Sequence, residues 1–322
     1  MKKWLTPLAL TLTLILSACG GGSTANNASN TSNEPAASTA PSASPSASPA
    51  ASGTITYESE SGPVEVPANP QRIVALTNAP NVLSMNATIV GVDQWTAKNP
   101  LFTEKLSGVE QVSEDDLEKI IELEPDLIIA GTEMKNLKKL GEIAPTVAFT
   151  WGKLDYLAQQ VAIGKLLNKE AEAQAWVDDF QKRAEEAGTQ IKAKIGEDAT
   201  VSVLEYDAKS FYVFGNNWAR GTEVLYQAMG LKMPEKVTKD ALGPGYYTLS
   251  NEAVADYAGD YVVLSQTKGV VNPIFETETW KNIPAVKNER IITIDTEASS
   301  YSDPITLDHL LKVFTDGFLA MK

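Results

Sequence analysis

The chain has 322 residues, with 41 acidic against 27 basic side chains and a formal net charge of −14 at pH 7. This acidic balance argues against a nucleic-acid-binding protein, because such proteins neutralise phosphates with basic patches. The single histidine and single cysteine argue against a zinc or manganese site built by the protein, because such sites need clustered imidazole, thiolate or carboxylate ligands.

The N-terminus has a basic start, an apolar stretch up to Leu16 and small residues before Cys19, which are the three parts of a secretory signal. The apolar stretch is shorter than the about 20 residues of a membrane-spanning helix. The pattern Leu-Ser-Ala-Cys-Gly around Cys19 resembles a bacterial lipobox. We therefore predict a signal peptide over 1–18 and a lipid on Cys19 that holds the mature chain on the extracellular face of the cell membrane.

Residues 19–53 follow as a predicted tether rich in Gly, Ser, Asn, Ala and Pro. A segment of this composition has too little apolar surface to form a core, so we expect it to be disordered.

Beyond the tether, short apolar strand candidates alternate with helical segments, starting with a hairpin over 54–66. Such alternation indicates an α/β fold with mostly parallel sheets. We predict two α/β lobes, each with a mostly parallel central sheet, at 54–153 and 197–322. The strand candidates are 72–76, 89–92, 126–130 and 146–149 in the first lobe, and 200–206, 211–214, 261–264 and 290–294 in the second.

The helical segment 154–196 separates these lobes. From Asn168 to Gly196 its apolar residues recur every three or four positions, at Trp176, Phe180, Ala184, Ala187, Ile191 and Ile195. This spacing predicts one long amphipathic helix that joins the lobes and ends at Gly196. A single stiff helix of this kind is typical of a bilobal binding protein with limited closure, and we expect a monomer.

Two short segments look like counterparts on the two lobes. Asp116-Leu117-Glu118 and Ser250-Asn251-Glu252 each place a glutamate two positions after a candidate helix-capping residue, and each leads into an apolar strand. Glu118 and Glu252 should therefore occupy equivalent places. A glutamate in a first helical turn also stabilises the helix dipole, which is the alternative role for each.

From about Thr54 to the C-terminus, these features resemble the ABC-importer binding proteins that carry siderophores, haem and vitamin B12. The resemblance implies two α/β lobes bridged by one long helix. It also implies that Glu118 and Glu252 dock onto arginines of a membrane permease.

Two further segments, 212–226 and 280–308, resemble those of the ferric-hydroxamate-binding lipoproteins of Gram-positive bacteria. This likeness implies that Tyr212, Trp218 and Arg220 line the ligand cleft. The iron of a ferric trihydroxamate is already fully coordinated, so aromatic faces would pack on its organic shell and Arg220 would donate hydrogen bonds to its oxygens. No cofactor and no metal ligand from the protein are expected. The alternatives are a core position for Trp218 and a surface ion pair for Arg220.

Other candidates follow strands at their carboxyl ends, where α/β sheets place ligands. They are Thr77, Asn78, Trp95, Thr132, Trp151, Tyr247 and Tyr301. Ser300 stands where relatives often have an aromatic residue, which leaves the identity of the ligand open.

The expected function is that of an extracellular solute-binding lipoprotein that delivers a ferric siderophore, of hydroxamate type, to an ABC permease. The alternatives are the same fold with a catecholate, a citrate-type carboxylate or a corrinoid ligand, and a surface adhesin or structural lipoprotein. We expect no enzyme activity: His309 lies in a helical pattern, and no nucleophile elbow, Walker loop or dinucleotide fingerprint is present.

Overall fold

The computed structural model describes residues 53–321, so the predicted signal peptide, the lipidated Cys19 and nearly all of the predicted tether lie outside the described residues. The strands are β1 Thr54–Ser59, β2 Gly62–Pro67, β3 Ile73–Ala75, β4 Ile89–Val92, β5 Glu110–Gln111, β6 Leu127–Gly131, β7 Thr146–Phe149, β8 Val201–Tyr206, β9 Ser210–Phe214, β10 Tyr246–Ser250, β11 Tyr261–Gln266 and β12 Ile291–Asp295. The α-helices are α1 Ala79–Ser84, α2 Gln94–Lys98, α3 Leu117–Glu122, α4 Leu137–Ile143, α5 Tyr156–Leu166, α6 Glu170–Ile195, α7 Glu235–Ala241, α8 Val254–Tyr257, α9 Glu278–Lys281, α10 Pro284–Lys287 and α11 Pro304–Ala320.

Two five-stranded sheets form the two lobes, which confirms the predicted α/β class. The first lobe has the strand order β5-β4-β3-β6-β7 with all pairings parallel, and β1 and β2 form a separate antiparallel hairpin. Hydrophobic residues cover both faces of this sheet, so β3, β4, β6 and β7 are largely buried and read as short apolar runs.

The sheet of the second lobe is mixed, with the order β10-β9-β8-β11-β12. Its strands β8, β11 and β12 are parallel, whereas β9 pairs antiparallel with both β8 and β10. The sequence analysis missed β10, because this edge strand buries only Leu249 and so lacks an apolar pattern. It also missed the two-residue strand β5, both of whose residues are exposed.

The long helix α6 joins the two lobes and confirms the predicted amphipathic helix. Its first turns bury Ala173 in the core of the first lobe. Its later turns bury Phe180, Ala184, Ala187 and Ile191 in the core of the second lobe. The helix ends at Ile195, and Gly196 follows with a positive φ of 104°.

A second connection between the lobes comes from the segment after β12. The Asn99 side-chain amide donates a hydrogen bond to the Glu297 carbonyl oxygen at 2.6 Å. The Tyr301 hydroxyl lies 3.0 Å from the Thr96 hydroxyl, and its ring packs edge-on against Phe102. The C-terminal part of the chain is therefore fastened to the first lobe as well as to the second.

No helix within residues 53–321 combines the length and the apolar character needed to cross a membrane.

Close packing of α6 generates a first prediction. A Cβ atom on Gly188 would clash with the Met229 backbone carbonyl. We expect Gly188→Ala to lower the free energy of unfolding by about 1–3 kcal/mol through overpacking, which exceeds the gain in helix propensity of at most ~1 kcal/mol. Urea denaturation followed by circular dichroism measures the change. Gly141→Ala is the matched control, because no atom of residues 53–321 lies within 4 Å of a Cβ at this helical position. Equal effects of the two substitutions would contradict the packing argument.

Candidate functional site

A cleft of about 880 Å³ is lined by residues of both lobes, and in the first lobe it lies at the carboxyl ends of β3, β6 and β7. In the first lobe, Asn78 follows β3, Glu133 follows β6 and Trp151 follows β7. The second lobe contributes the segments 216–220 and 243–245, and the segment 300–303 also lines the cleft. In the first lobe this is the position at which open α/β sheets bind ligands, because parallel strands deliver their following loops to the same edge.

The cleft brings together most of the residues predicted to contact a ligand. The predicted residues that line it are Asn78, Trp151, Trp218, Arg220 and Tyr301, together with Thr77 and Ser300. Trp95 instead lines a separate pocket on the first lobe with Leu76 and Met134.

Tyr212 and Tyr247 are not among the residues that line the cleft. Side chains alternate along β10, so Tyr246 packs on Trp218 at 5.3 Å between ring centroids, whereas Tyr247 stacks on Tyr257 at 5.8 Å. Tyr212 lies next to Tyr246 at 6.3 Å and donates its hydroxyl proton to Asp207. Ligand contact by Tyr212 and Tyr247 stays a prediction, and Tyr246 is the neighbour of the cleft that the sequence analysis missed.

An aromatic pair spans the cleft. Trp151 of the first lobe and Trp218 of the second meet edge to face, with ring centroids 5.3 Å apart and an interplanar angle of 81°. Trp151 is 75% exposed, whereas Trp218 is half-buried and packs so tightly over Gly245 that a Cβ there would clash with its ring. The two indoles offer an apolar surface to a ligand from both sides.

Arg220 sits in an unusual stretch of backbone. Ala219, Arg220 and Gly221 all have positive φ angles, of 57°, 55° and 75°. The left-handed region costs a non-glycine residue on the order of 1 kcal/mol or more, and such strain is concentrated at functional sites. The Arg220 N–H donates to the Ser299 carbonyl oxygen at 2.7 Å, which fastens this turn to the segment after β12.

The guanidinium of Arg220 is held in place by Glu205 at the end of β8. Nε donates to Oε2 at 2.9 Å and Nη2 donates to Oε1 at 3.1 Å, a bidentate ion pair whose side chains are only 20% and 15% exposed. Ser265 donates a further hydrogen bond to Glu205 Oε2 at 2.8 Å, and Phe214 lies beneath the guanidinium. Nη1 has no hydrogen bond to another residue in the described chain, so it is available to a ligand.

Two buried carboxyl groups also line the cleft, and the sequence analysis did not single them out. Glu223 begins a π-helical segment, Glu223–Ala228, and accepts hydrogen bonds from the Ala219 N–H and the Thr222 hydroxyl at 3.1 Å each. Burial raises the pKa of this carboxyl. Asp303 caps α11 by accepting from the Ile305 and Thr306 N–H groups, and burial raises its pKa to about 6.

Gln159 adds an unpaired donor. Its Nε2 is buried and has no hydrogen-bond partner among residues 53–321, although the residue lines the cleft. A buried amide without a partner is rare and is consistent with a place for a ligand oxygen. No sequence signal distinguishes Gln159 from its neighbour Gln160, which is bound to Asn81.

The glutamates predicted to dock onto a permease are both exposed. Glu118 lies in the first turn of α3, and Glu252 lies in a 3₁₀ turn, Asn251–Ala253. Each element precedes the fourth strand of its sheet, β6 or β11, and neither glutamate forms an ion pair with a described residue. The predicted caps differ, because Asp116 accepts from Ser113 instead of from its helix and Ser250 makes no capping bond.

Within the described range, no group of three His, Cys, Asp or Glu side chains is placed to hold a metal ion. The lining of the cleft supplies aromatic faces, amides, hydroxyls and carboxylates, together with one guanidinium. Such a set can hold an organic ligand by packing and hydrogen bonding.

Known proteins are similar to this chain in sequence and in architecture. The chain is 34% identical to the iron(3+)-hydroxamate-binding protein FhuD of Bacillus subtilis over 96% of its own length and 95% of the relative's. The structure of the FhuD protein from S. pseudintermedius has a TM-score of 0.73 and 36% identity, covering 84% of this chain and 99% of that one. FhuD2 from Staphylococcus aureus with bound ferrioxamine B has a TM-score of 0.71 and 35% identity, covering 78% and 98%.

The sequence model of one protein family, described as periplasmic binding protein, matches residues 75–298. This range contains both sheets, apart from the first two residues of β3, and most of the residues that line the cleft. The chain belongs to the periplasmic binding protein family.

Proposed function

We propose that this protein binds a ferric siderophore of the hydroxamate type outside the cell and delivers it to the permease of an ABC importer. The observation that carries the proposal is the cleft in which Trp151 and Trp218 meet, together with the Arg220 guanidinium that Glu205 fixes by an ion pair. The relatives named for ferric hydroxamates support the ligand class, and they are binding proteins rather than enzymes.

The chemistry of the ligand fits this cleft. Three hydroxamates fill the coordination sphere of the iron, so the complex presents a hydrocarbon shell with oxygens exposed at the chelate. The indoles pack on the shell, while Arg220 Nη1 donates a charge-assisted hydrogen bond to a hydroxamate oxygen. Glu205 fixes the guanidinium before the ligand arrives, so little side-chain entropy is lost on binding.

Ligand binding by this mechanism is tested by tryptophan fluorescence quenching with ferrioxamine B. We expect a dissociation constant in the nanomolar to micromolar range, about −12 to −8 kcal/mol. Arg220→Ala and Trp218→Ala should each weaken binding by roughly 10- to 100-fold, because they remove a charge-assisted hydrogen bond and an aromatic contact. Thermal unfolding of each variant checks that the fold is kept.

Arg183→Ala is the matched control, because this guanidinium pairs with Asp179 and Asp308 outside the cleft. Ferric catecholate, ferric citrate and cobalamin are titrated in parallel. Tight binding of one of these in place of the hydroxamate would remove the proposed ligand class but keep the transport role. Binding of none of the four would contradict the siderophore function.

Docking to the permease is proposed to use Glu118 and Glu252. Both are exposed and free of ion pairs in the described chain, and they occupy matching places on the two lobes. Exposed carboxylates of this kind add little to stability but orient an approaching basic partner.

The docking proposal predicts a loss of uptake without a loss of binding. Glu118→Ala and Glu252→Ala should each lower the uptake of ⁵⁵Fe-ferrioxamine B by cells severalfold, and the double variant by about tenfold or more, since rim charges govern association. The affinity measured by fluorescence should stay unchanged. Glu142→Ala, an exposed glutamate on α4, is the control. Normal uptake by the double variant would rule out this docking pair.

The membrane anchor is proposed to be the lipid on Cys19. Replacing Cys19 by serine should move the protein from the membrane fraction to the culture medium, because the acyl chains supply the membrane affinity. Fractionation and labelling with radioactive palmitate measure both effects. Retention of the Cys19→Ser protein at the membrane would show that another element anchors it.

A further inference from the structure

The charged residues of the cleft are mostly acidic. Its lining includes the carboxyl groups of Glu133, Asp155, Glu223 and Asp303, and the only basic side chain among the described lining residues is Arg220. The cleft proposed for the ligand is therefore mainly acidic, and this property does not follow from its aromatic residues.

The basic groups at the cleft are already paired. Arg220 is bound to Glu205 through two hydrogen bonds. Lys153, between the lining residues Gly152 and Leu154, lies 3.2 Å from the Glu60 carboxylate. Neither cation brings an unbalanced positive charge to a ligand, because a partner of opposite sign lies within contact distance of each.

Two helix N-termini at the cleft are also occupied by the protein's own carboxylates. Asp155 accepts from the Leu157 and Ala158 N–H groups at the start of α5. Asp303 does the same for the Ile305 and Thr306 N–H groups at the start of α11. The positive ends of these helices, which otherwise attract anions, are therefore satisfied from within the chain.

Glu133 differs from the other acids of the cleft. Asp155 and Asp303 cap helices and Glu223 is buried and hydrogen-bonded, whereas Glu133 is exposed on the cleft wall after β6. Its carboxylate makes no ion pair and no hydrogen bond to a described residue. It folds back over Gly131, where the absence of a side chain leaves room for the carboxylate.

We propose that the cleft selects its ligand by charge, favouring neutral and cationic ferric complexes over anionic ones, and that Glu133 is the residue that sets this preference. The inference rests on the proposed siderophore function and narrows it. Three singly charged hydroxamates balance the charge of Fe³⁺, and a free amine on the chelator makes the complex cationic. Three doubly charged catecholates, or a carboxylate-rich chelator, leave the complex anionic and repelled by the cleft.

A series with one chelate and three charges tests this preference. Ferrioxamine B carries a terminal ammonium group, its N-acetyl derivative is neutral there, and its N-succinyl derivative ends in a carboxylate. We titrate the full chain in mild detergent with each complex and follow tryptophan fluorescence. The cationic complex should bind most tightly and the anionic one least, with about tenfold between these extremes at low salt, because unit charges a few ångströms apart interact by this order in a partly solvated site. The difference should shrink as salt is added.

Substitution of Glu133 assigns the effect to this residue. Glu133→Gln should reduce the difference between the cationic and anionic complexes to about threefold or less. Glu142→Gln, which removes the same charge from an exposed site on α4 outside the cleft, should leave the difference unchanged.

The outcomes separate the two proposals. If none of the three complexes binds, the proposed function itself fails. If all three bind with equal affinity, or the succinyl derivative binds most tightly, the siderophore function stands and charge selection is overturned. If the preference is present but Glu133→Gln does not alter it, Glu133 is not the residue that sets it.

Discussion

The cleft depends on the packing of one helix against two hydrophobic cores. The helix α6 buries Ala173 in the first lobe and Phe180, Ala184, Ala187 and Ile191 in the second. Because one rigid helix belongs to both cores, it fixes the two lobes relative to each other, and residues of both lobes line the same cleft. The tight approach of Gly188 to Met229 shows how little freedom this packing leaves.

On the second-lobe side of the cleft, the Arg220–Glu205 ion pair organises most of the local structure. Taking two charges out of water costs several kcal/mol per ion, which only good geometry and extra hydrogen bonds offset. Here the pair is bidentate, Ser265 supplies a further bond and Phe214 covers the guanidinium. The left-handed turn 219–221 adds strain. These costs mean that the pair adds little to stability, whereas the proposed function gives it a role in presenting Arg220 to a ligand.

The sequence predicted what depends on regular patterns and missed what depends on tertiary context. The apolar runs and the stripe of α6 located the buried strands and the long helix within a few residues. Trp151, Trp218 and Arg220 were found because they resemble a known motif or follow predicted strands, and they line the cleft. Tyr246 was missed, since an exposed edge strand has no apolar pattern and its register decides which of two adjacent tyrosines faces Trp218. Glu133 and Gln159 carried no sequence signal, because what distinguishes them is that their polar atoms have no partner among residues 53–321, which only a folded structure reveals.

The two lobes are connected a second time, in addition to α6. Asn99 donates a hydrogen bond to the Glu297 carbonyl oxygen, and Tyr301 packs beside Thr96 and Phe102. Two lobes that are connected at two places cannot separate without breaking one connection, so the ligand-free and ligand-bound forms should have nearly the same conformation. A membrane partner that approaches such a body has little change of shape to detect. The partner must then distinguish the ligand-bound from the ligand-free protein by contact with the ligand itself at the mouth of the cleft. Alternatively, it distinguishes them after docking, by how strongly the bound ligand resists separation of the lobes.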